Sequence, residues 1–354
     1  MMKRILLIMV CFLGKAYHCQ DYTLQNKPLL HYYDLVNKAE NYITKKSWDS
    51  AFVHYKLAFK KNKQPPAIDL YNSMLVALKL NKQKFASGKF RSLQCLHYQF
   101  EDDFAKNMHA STKQTKCRNV IDENYRAELD KLYVIDQKYR KLSKGNYAQY
   151  RNELTQTDSI VAVKLMQLIS KKGFPNEYDI GLTSANKDFM QNLYFIMHHQ
   201  LATNIYSPQI VNFSNLLVKA LNDGKITPAN AAYLIDLNNG TTNYELRLFS
   251  VQGILKNNGT MTDSIRALNK VDYYISKAIY PENQNERIRK IIIEKNQNRK
   301  KIGLSNLENM LEKSLFRRKN KAFVFPDASV SISSFATDKD ITDYIQNMGL
   351  IKIQ

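Results

Sequence analysis

The sequence predicts an all-α fold in which tetratricopeptide-like helix pairs precede a larger helical domain. Apolar residues recur at helical spacing along most of the chain. Ala51 and Ala86 lie 35 residues apart in similar contexts, close to the tetratricopeptide period. Helix-capping residues, glycines and prolines separate the periodic segments. These observations divide the chain into an export signal (1–20), repeats (21–110), a helical domain (120–260) and a basic helical C-terminal region (261–354).

The first twenty residues have the pattern of an export signal. A positively charged start at residues 1–4 is followed by Ile5 to Leu13, an apolar run too short to span a bilayer as a helix. Cleavage is expected near Cys19 or Gln20, with a retained N-terminal anchor or a lipid on Cys19 as alternatives. The mature chain is therefore expected to be periplasmic or secreted, in association with the cell envelope, and not to be transmembrane.

Export determines what the cysteines can do. Cys11 and Cys19 belong to the signal, which leaves Cys95 and Cys117 in an oxidising compartment where they can form a disulfide. The alternative is two unpaired thiols. Neither residue has the C-x-x-C spacing of a zinc or redox centre, so no metal and no cofactor are expected.

The net charge of +20 favours an acidic partner, although solvated surface lysines would give the same total. Residues 286–321 are rich in Lys and Arg, but Glu286, Glu294, Glu308 and Glu312 alternate with them at helical spacing. This pattern predicts exposed, salt-bridged helices, and adhesion to an anionic envelope surface is a further reading. A nucleic-acid partner is not expected.

The repeats begin with two helices that turn at residues 46–49. Small and aromatic residues recur on their inner faces, and the pattern returns in a second pair: Leu35, Ala39, Tyr42, Ala51, Tyr55, Ala58, then Leu70, Ala77, Ala86 and Phe90. Two repeats cannot bury a solenoid core alone, so later residues are expected to cap them. Such helix pairs offer a concave face to a protein or peptide partner.

Helices are also predicted through the rest of the chain. In the middle they cover 125–140, 158–170, 186–202 and 213–221, a fifth that starts at Thr227-Pro228 and ends at Gly240, and a sixth after a capping box at 242–245. Beyond them, helices are predicted at 262–279, from Glu286, and at 305–318, with a short β-hairpin within 322–335.

Polar residues interrupt two of these apolar faces. Asp136 projects into the middle of its helix stripe with Arg140 one turn later, as either a buried structural pair or the border of a pocket. His198 lies at the edge of the stripe of its helix, where it is either a boundary histidine or a catalytic base. His199 lies nearly opposite the stripe and is expected at the surface.

Residues 125–255 resemble a bacterial domain of unknown function whose blocks run D-x-x-x-R, G-W-P, Q-H-A, A-Y-L-x-D-R and Y-G-T-Q. The corresponding segments here are 136–140, 173–175, 197–199, 232–237 and 249–252. This chain departs from the pattern at Met197, Leu237 and Val251. The resemblance implies that five side chains line one cleft: Asp136, Arg140, His198, Asp236 and Gln252.

Two functions follow from these observations. The first is a partner- or ligand-binding helical-repeat protein of the cell envelope. The second is a hydrolase-like enzyme with His198 as general base, oriented by Asp136 or Asp236. Arg140 and Gln252 are the expected ligand contacts in either case.

Overall fold

The structure is a computed structural model. It describes residues 22–109, 117, 120–183, 189–202, 211–245, 247–256, 271–328 and 330–353. Most of the described chain is helical, which confirms a predominantly α fold, but a small four-stranded sheet is also present. The predicted export signal lies outside the described residues.

The N-terminal part consists of two packed helix pairs and a short fifth helix. Their bounds are α1 (Lys27–Thr44), α2 (Trp48–Ala58), α3 (Ala67–Lys79), α4 (Gln83–Cys95) and α5 (Asp102–His109). The predicted inner-face residues Ala39, Ala51, Tyr55 and Ala58 are fully buried. Small side chains at these contacts let the helices approach closely. That these pairs are tetratricopeptide repeats stays a prediction.

Six helices follow in the middle of the chain. Their bounds are α6 (Glu123–Ser143), α7 (Arg151–Lys172), α8 (Glu177–Ile180), α9 (Asn192–Ala202), α10 (Ser214–Asn222) and α11 (Pro228–Asn239). As predicted, Thr227 caps α11 and Gly240 ends it in the left-handed conformation. Helix α9 begins at Asn192 and not at Asn186, since the backbone of Phe189 has a φ of 58°. Residues 184–188 lie outside the description.

The C-terminal part mixes helices with a sheet. Its elements are β1 (Val251–Lys256), β2 (Asp272–Ser276), α12 (Glu286–Lys301), α13 (Leu307–Lys319), β3 (Val330–Phe335), α14 (Asp338–Asn347) and β4 (Leu350–Lys352). The strand order is β3-β1-β2-β4, with β1 parallel to β3 and the other neighbours antiparallel. Strand β1 lies before the predicted domain boundary at residue 260, and its partners lie after it.

The helix predicted after the capping box at 242–245 is wrong. The carboxylate of Asp236 accepts hydrogen bonds from Asn243 N at 2.8 Å and Tyr244 N at 2.9 Å. These backbone N–H groups would lie in the first turn of the predicted helix. The chain then passes through a short 3-10 turn at 247–249 into β1. Tertiary contacts therefore decide the conformation of this segment.

Two further expectations near the C-terminus are corrected. The helix predicted over 262–279 is wrong for 272–276, which form β2, while 257–270 lie outside the described residues. The predicted hairpin within 322–335 is also wrong, since β3 alone is a strand there and pairs with distant β1. Residues 323–325 instead insert Phe323, Val324 and Phe325 into the core.

One hydrophobic core joins the helix pairs to the rest of the molecule. It combines α1 and α2 with α6, α7, α9, α10 and α11, and it includes Ile302, Phe316, Phe323 and Phe325. The helix pairs are thus packed against later parts of the chain. Cys95, at the end of α4, forms a disulfide with Cys117, their Cα atoms 5.5 Å apart. Among the helices of the described residues, none is long and apolar enough to cross a membrane.

Candidate functional site

A buried carboxylate on α6 holds one of the two neighbouring histidines of α9. Asp136 Oδ2 lies 2.8 Å from Nδ1 of His199 and accepts a hydrogen bond from Gln137 Nε2 at 2.7 Å. The Asp136 side chain has no exposed surface, and that of His199 is 16% exposed. An ionised carboxylate only accepts hydrogen bonds, so Nδ1 of His199 carries a proton and its Nε2 is the basic nitrogen of the neutral ring.

Arg140 connects Asp136 to a second buried carboxylate, Asp158 on α7. Its guanidinium donates two parallel hydrogen bonds to Asp158, at 2.8 and 2.7 Å, and one to the backbone oxygen of Asp136. Burial disfavours the charged form, but the hydrogen bond to Asp158 and the charges of both carboxylates outweigh it, so the pKa of Arg140 lies above its ordinary value. These three groups and His199 form what we call the His199 cluster.

His198 faces a different partner. Its Nδ1 is hydrogen-bonded with the hydroxyl of Tyr233 on α11, and the two rings stack with centroids 5.7 Å apart. Its ring centroid is also 5.5 Å from that of His199. Burial lowers the pKa of His198, and the charges of His199 and Arg140 add to the effect. His198 is therefore neutral near pH 7.

The structure reverses the expected roles of the two histidines. The prediction that His199 lies at the surface is wrong, because α9 packs against α6, α7 and α11 and is covered on more than one side. A single apolar stripe does not locate the solvent side of such a helix. His198 is hydrogen-bonded with Tyr233, while His199 takes the place expected for His198 beside Asp136.

Of the other predicted site residues, Asp236 and Gln252 have separate structural contacts. Asp236 holds the turn that follows α11. Gln252 lies in β1, and its Oε1 accepts a hydrogen bond from Tyr344 of α14 at 2.7 Å. The structure thus brings Asp136, Arg140 and the histidines together, and it places Asp236 and Gln252 in other roles.

Sequence reasoning missed Asp158 and Tyr233. Asp158 could have been found, because Val161, Ala162 and Leu165 continue a buried stripe of α7 that includes it. An acid in such a stripe requires a cationic partner. Tyr233 gives no comparable signal, since a tyrosine between apolar residues on a helix is usual in a protein core.

Tyr233 also lines a cavity, of about 190 Å³. Other polar side chains converge on the same space: Asn230, Glu245, Ser250, Arg299 and Asp327. A second cavity, of about 580 Å³, lies between α6, α7 and α10 and is lined by residues 172–175. Its lining does not include His198 or His199, so the smaller cavity is the one connected to the histidines.

The inner face of the helix pairs is covered by the chain itself. The side-chain amide of Asn72 on α3 donates to the backbone oxygen of Val324 and accepts from its N–H at 3.1 Å. Trp48 stacks on Phe323, with centroids 5.8 Å apart. This face therefore already holds an extended segment of the same molecule.

Comparison of the chain with protein-family models, curated proteins and solved structures returns no match. The resemblance of residues 125–255 to a bacterial domain of unknown function stays a prediction. Within the described part of the chain, no three His, Cys, Asp or Glu side chains are grouped so that they could hold a metal ion.

Proposed function

We propose that this chain is an exported helical protein of the cell envelope that binds a small polar ligand in the cavity lined by Tyr233. The observation that carries the proposal is the position of Tyr233, whose side chain lines the cavity while its hydroxyl is hydrogen-bonded with His198. Ligand sites typically combine a preformed cavity with a few convergent polar groups. The volume of about 190 Å³ limits the ligand to a small molecule.

The chemistry of the lining supports a polar ligand. Arg299 and Asp327 form a buried ion pair in the lining, and Asn230 and Ser250 can donate and accept hydrogen bonds. Behind Tyr233, burial lowers the pKa of His198, so its neutral imidazole can accept a hydrogen bond from the phenolic hydroxyl. A ligand that hydrogen-bonds to Tyr233 is thereby linked to the paired histidines.

The proposed site also agrees with the family resemblance. Three of the five blocks, at 136–140, 197–199 and 232–237, supply Asp136, Arg140, both histidines and Tyr233. Blocks that are separate in sequence are expected to meet in space where they share a function. The block at 249–252 contributes Ser250 to the lining of the cavity, and the block at 173–175 lies elsewhere.

Ligand binding can be tested with the whole chain and a panel of small polar compounds, by the rise in melting temperature that each compound causes. For a compound that binds, Tyr233→Phe, which removes one hydroxyl, is expected to abolish the rise. Tyr147→Phe alters an exposed tyrosine and is the matched control. An equal rise for Tyr233→Phe and the unaltered chain contradicts the proposal.

A hydrolase-like activity is the second candidate, and the contact between His199 and Asp136 favours it. A carboxylate that accepts from Nδ1 orients an imidazole so that Nε2 can act as a general base. The base is then His199 in place of the predicted His198. With p-nitrophenyl esters as substrates, His199→Gln is expected to lower turnover at least about 100-fold. Unchanged turnover in this variant removes the candidate.

A protein partner of the helix pairs remains part of the proposal, but on a different face. Residues 323–325 and α13 cover the face of α1 and α3. A protein partner of the helix pairs must therefore use a surface that residues 323–325 and α13 leave open.

A further inference from the structure

Almost all of the charged residues between Ser50 and Phe100 are basic. This stretch contains nine basic residues: Lys56, Lys60, Lys61, Lys63, Lys79, Lys82, Lys84, Lys89 and Arg91. Asp69 is its one acidic residue, and Asp69 is buried, where it accepts a hydrogen bond from Tyr32 at 2.6 Å. The nearest acids along the chain, Asp49 and Glu101, flank the stretch. Its surface is therefore positively charged throughout.

Aromatic contacts join α2 and α4 into one continuous face. Phe85 of α4 lies 4.9 Å from Phe52 and 6.5 Å from Phe59 of α2, measured between ring centroids. Lysines lie over these rings: Lys82 Nζ is 5.1 Å from the Phe52 centroid, and Lys89 Nζ is 3.9 Å from that of Phe59. Lys56 Nζ of α2 also lies 5.6 Å from the Phe52 centroid, so the rings hold lysines from both sides of this contact close together.

The same face exposes aliphatic side chains. Val53 is 50% exposed and Leu57 is 41% exposed. Val53, Lys56 and Leu57 follow the spacing i, i+3, i+4 and form one row of α2, and Lys60 lies in the turn after this helix. We refer to these four residues, with Lys82 just before α4 and Lys89 of α4, as the α2–α4 face.

We propose that the α2–α4 face docks on an anionic phospholipid surface. Lysines bind the negative headgroups, and aliphatic side chains in the same row enter the boundary between headgroups and acyl chains. A soluble polyanion or a nucleic acid would use the lysines but would gain little from Val53 and Leu57. The basic helix α12 also exposes an aliphatic side chain, Ile293, but its lysines and arginines alternate with Glu286 and Glu294.

The charge part of the proposal is tested by flotation of the whole chain with vesicles. Vesicles of phosphatidylcholine are compared with vesicles that contain about 30% phosphatidylglycerol. Binding is expected with the anionic vesicles alone and is expected to fall as salt rises from 0.05 to about 0.5 M. Binding that is equal for both compositions, or that does not change with salt, overturns the proposal.

The location is tested with two variants that remove the same charge. Lys56→Gln with Lys82→Gln is expected to weaken binding about 25-fold, since each lysine near an anionic surface contributes about a factor of five. Arg287→Gln with Arg289→Gln removes two exposed charges from α12 and is the matched control. If the control weakens binding as much as the first pair, the α2–α4 face is not the docking surface.

The choice between a lipid surface and a soluble polyanion is tested with Val53→Gln and Leu57→Gln, which keep the charge and the helix propensity. This pair is expected to weaken vesicle binding about tenfold and to leave retention on heparin unchanged. Unchanged vesicle binding shows that the face binds polyanions without entering the lipid, which overturns the proposal. All these side chains are exposed, and circular dichroism checks that each variant is folded.

Discussion

Two clusters of buried charge occupy different parts of this molecule and differ in their access to solvent. In the first, which we call the Lys313 cluster, Lys313 Nζ of α13 lies 2.6 Å from Glu40 Oε2 of α1 and 3.3 Å from Asp327 Oδ1. Arg299 of α12 contacts Asp327 at 2.8 Å. The second is the His199 cluster, where Arg140 bridges Asp136 and Asp158.

The Lys313 cluster is closed. The side chains of Lys313, Glu40 and Arg299 are at most 1% exposed. Burial lowers the pKa of Lys313, but the charges of Asp327 and Glu40 raise it more, so the lysine stays charged. Its position between α1, α12 and the segment around Asp327 fixes the N-terminal helix pair against the C-terminal part. We interpret this cluster as a structural cross-link.

The His199 cluster ends in the imidazole of His199, whose side chain is 16% exposed. Both clusters pair acids with a buried cation, so buried charge alone does not indicate function. The difference lies in what completes each network. The Lys313 cluster consists of buried ion pairs, and two of its members, Arg299 and Asp327, also line the cavity beside Tyr233. The His199 cluster continues through the ring of His198 to Tyr233.

The largest loss of stability is expected for Lys313→Met. It leaves Glu40 and Asp327 without their shared cation, and removal of one partner from a buried pair costs about 3 to 5 kcal/mol. The free energy of unfolding is measured in urea, with Lys319→Met, an exposed lysine of α13, as the control. If both variants lose less than about 1 kcal/mol, the cross-link interpretation is wrong.

The second effect concerns pH and Glu40. Burial raises the pKa of Glu40 to about 7, against an opposing effect of Lys313. The folded state therefore holds this proton more tightly than the unfolded state, and the resulting stability is lost as pH rises from about 4.5 to about 7. Glu40→Gln is expected to reduce that loss by roughly 3 kcal/mol.

The measurement is the free energy of unfolding at several pH values between about 4.5 and 8. Glu294→Gln, an exposed glutamate of α12, is the control and is expected to follow the unaltered chain. A Glu40→Gln profile that is parallel to the unaltered one would show that Glu40 does not titrate in this range.

A smaller loss is expected for Asp158→Asn in the His199 cluster. The amide keeps one acceptor for Arg140 but loses the charge and one of two parallel hydrogen bonds, at a cost of about 2 kcal/mol. Urea unfolding is compared with that of Glu153→Gln, an exposed acid of α7. An equal effect of the two variants contradicts the bridging role of Arg140.

The smallest effect on stability is expected for His199→Gln. The glutamine amide can donate to Asp136 in place of Nδ1, so the change in unfolding free energy should stay below about 1 kcal/mol. Ester turnover, where it is found, should fall. His31→Gln alters an exposed histidine of α1 and is the control. A loss of several kcal/mol with no change in turnover or ligand binding would make this cluster structural as well.

The helical elements could be predicted where the signals are local. Thr227-Pro228 and Gly240 define α11 because capping groups and a left-handed glycine act within one turn. The sheet could not be predicted in this way. Strand β1 pairs on one side with β3, about eighty residues later, and on its other side with β2. No residue pattern within 249–256 indicates which strands pair with β1.

Site residues could be predicted where a polar side chain falls at a helix position that the apolar pattern predicts to be buried. Asp136 and Arg140 stand out in an apolar stripe, and the structure places both in the cluster. The partner of Asp136 could not be chosen between His198 and His199, because that depends on how three helices surround α9. Asp236 illustrates the opposite error. It was predicted as a site residue, but its carboxylate holds the turn that follows α11.

The central claim is that Asp136 orients His199 through its Nδ1 hydrogen. The most direct measurement is the ¹⁵N spectrum of the imidazole nitrogens in the whole chain at about pH 8, where histidines are ordinarily neutral. We expect the proton of His199 to be on Nδ1, and we expect Asp136→Leu to remove this preference. A proton on Nε2 of His199 in the unaltered chain would contradict it.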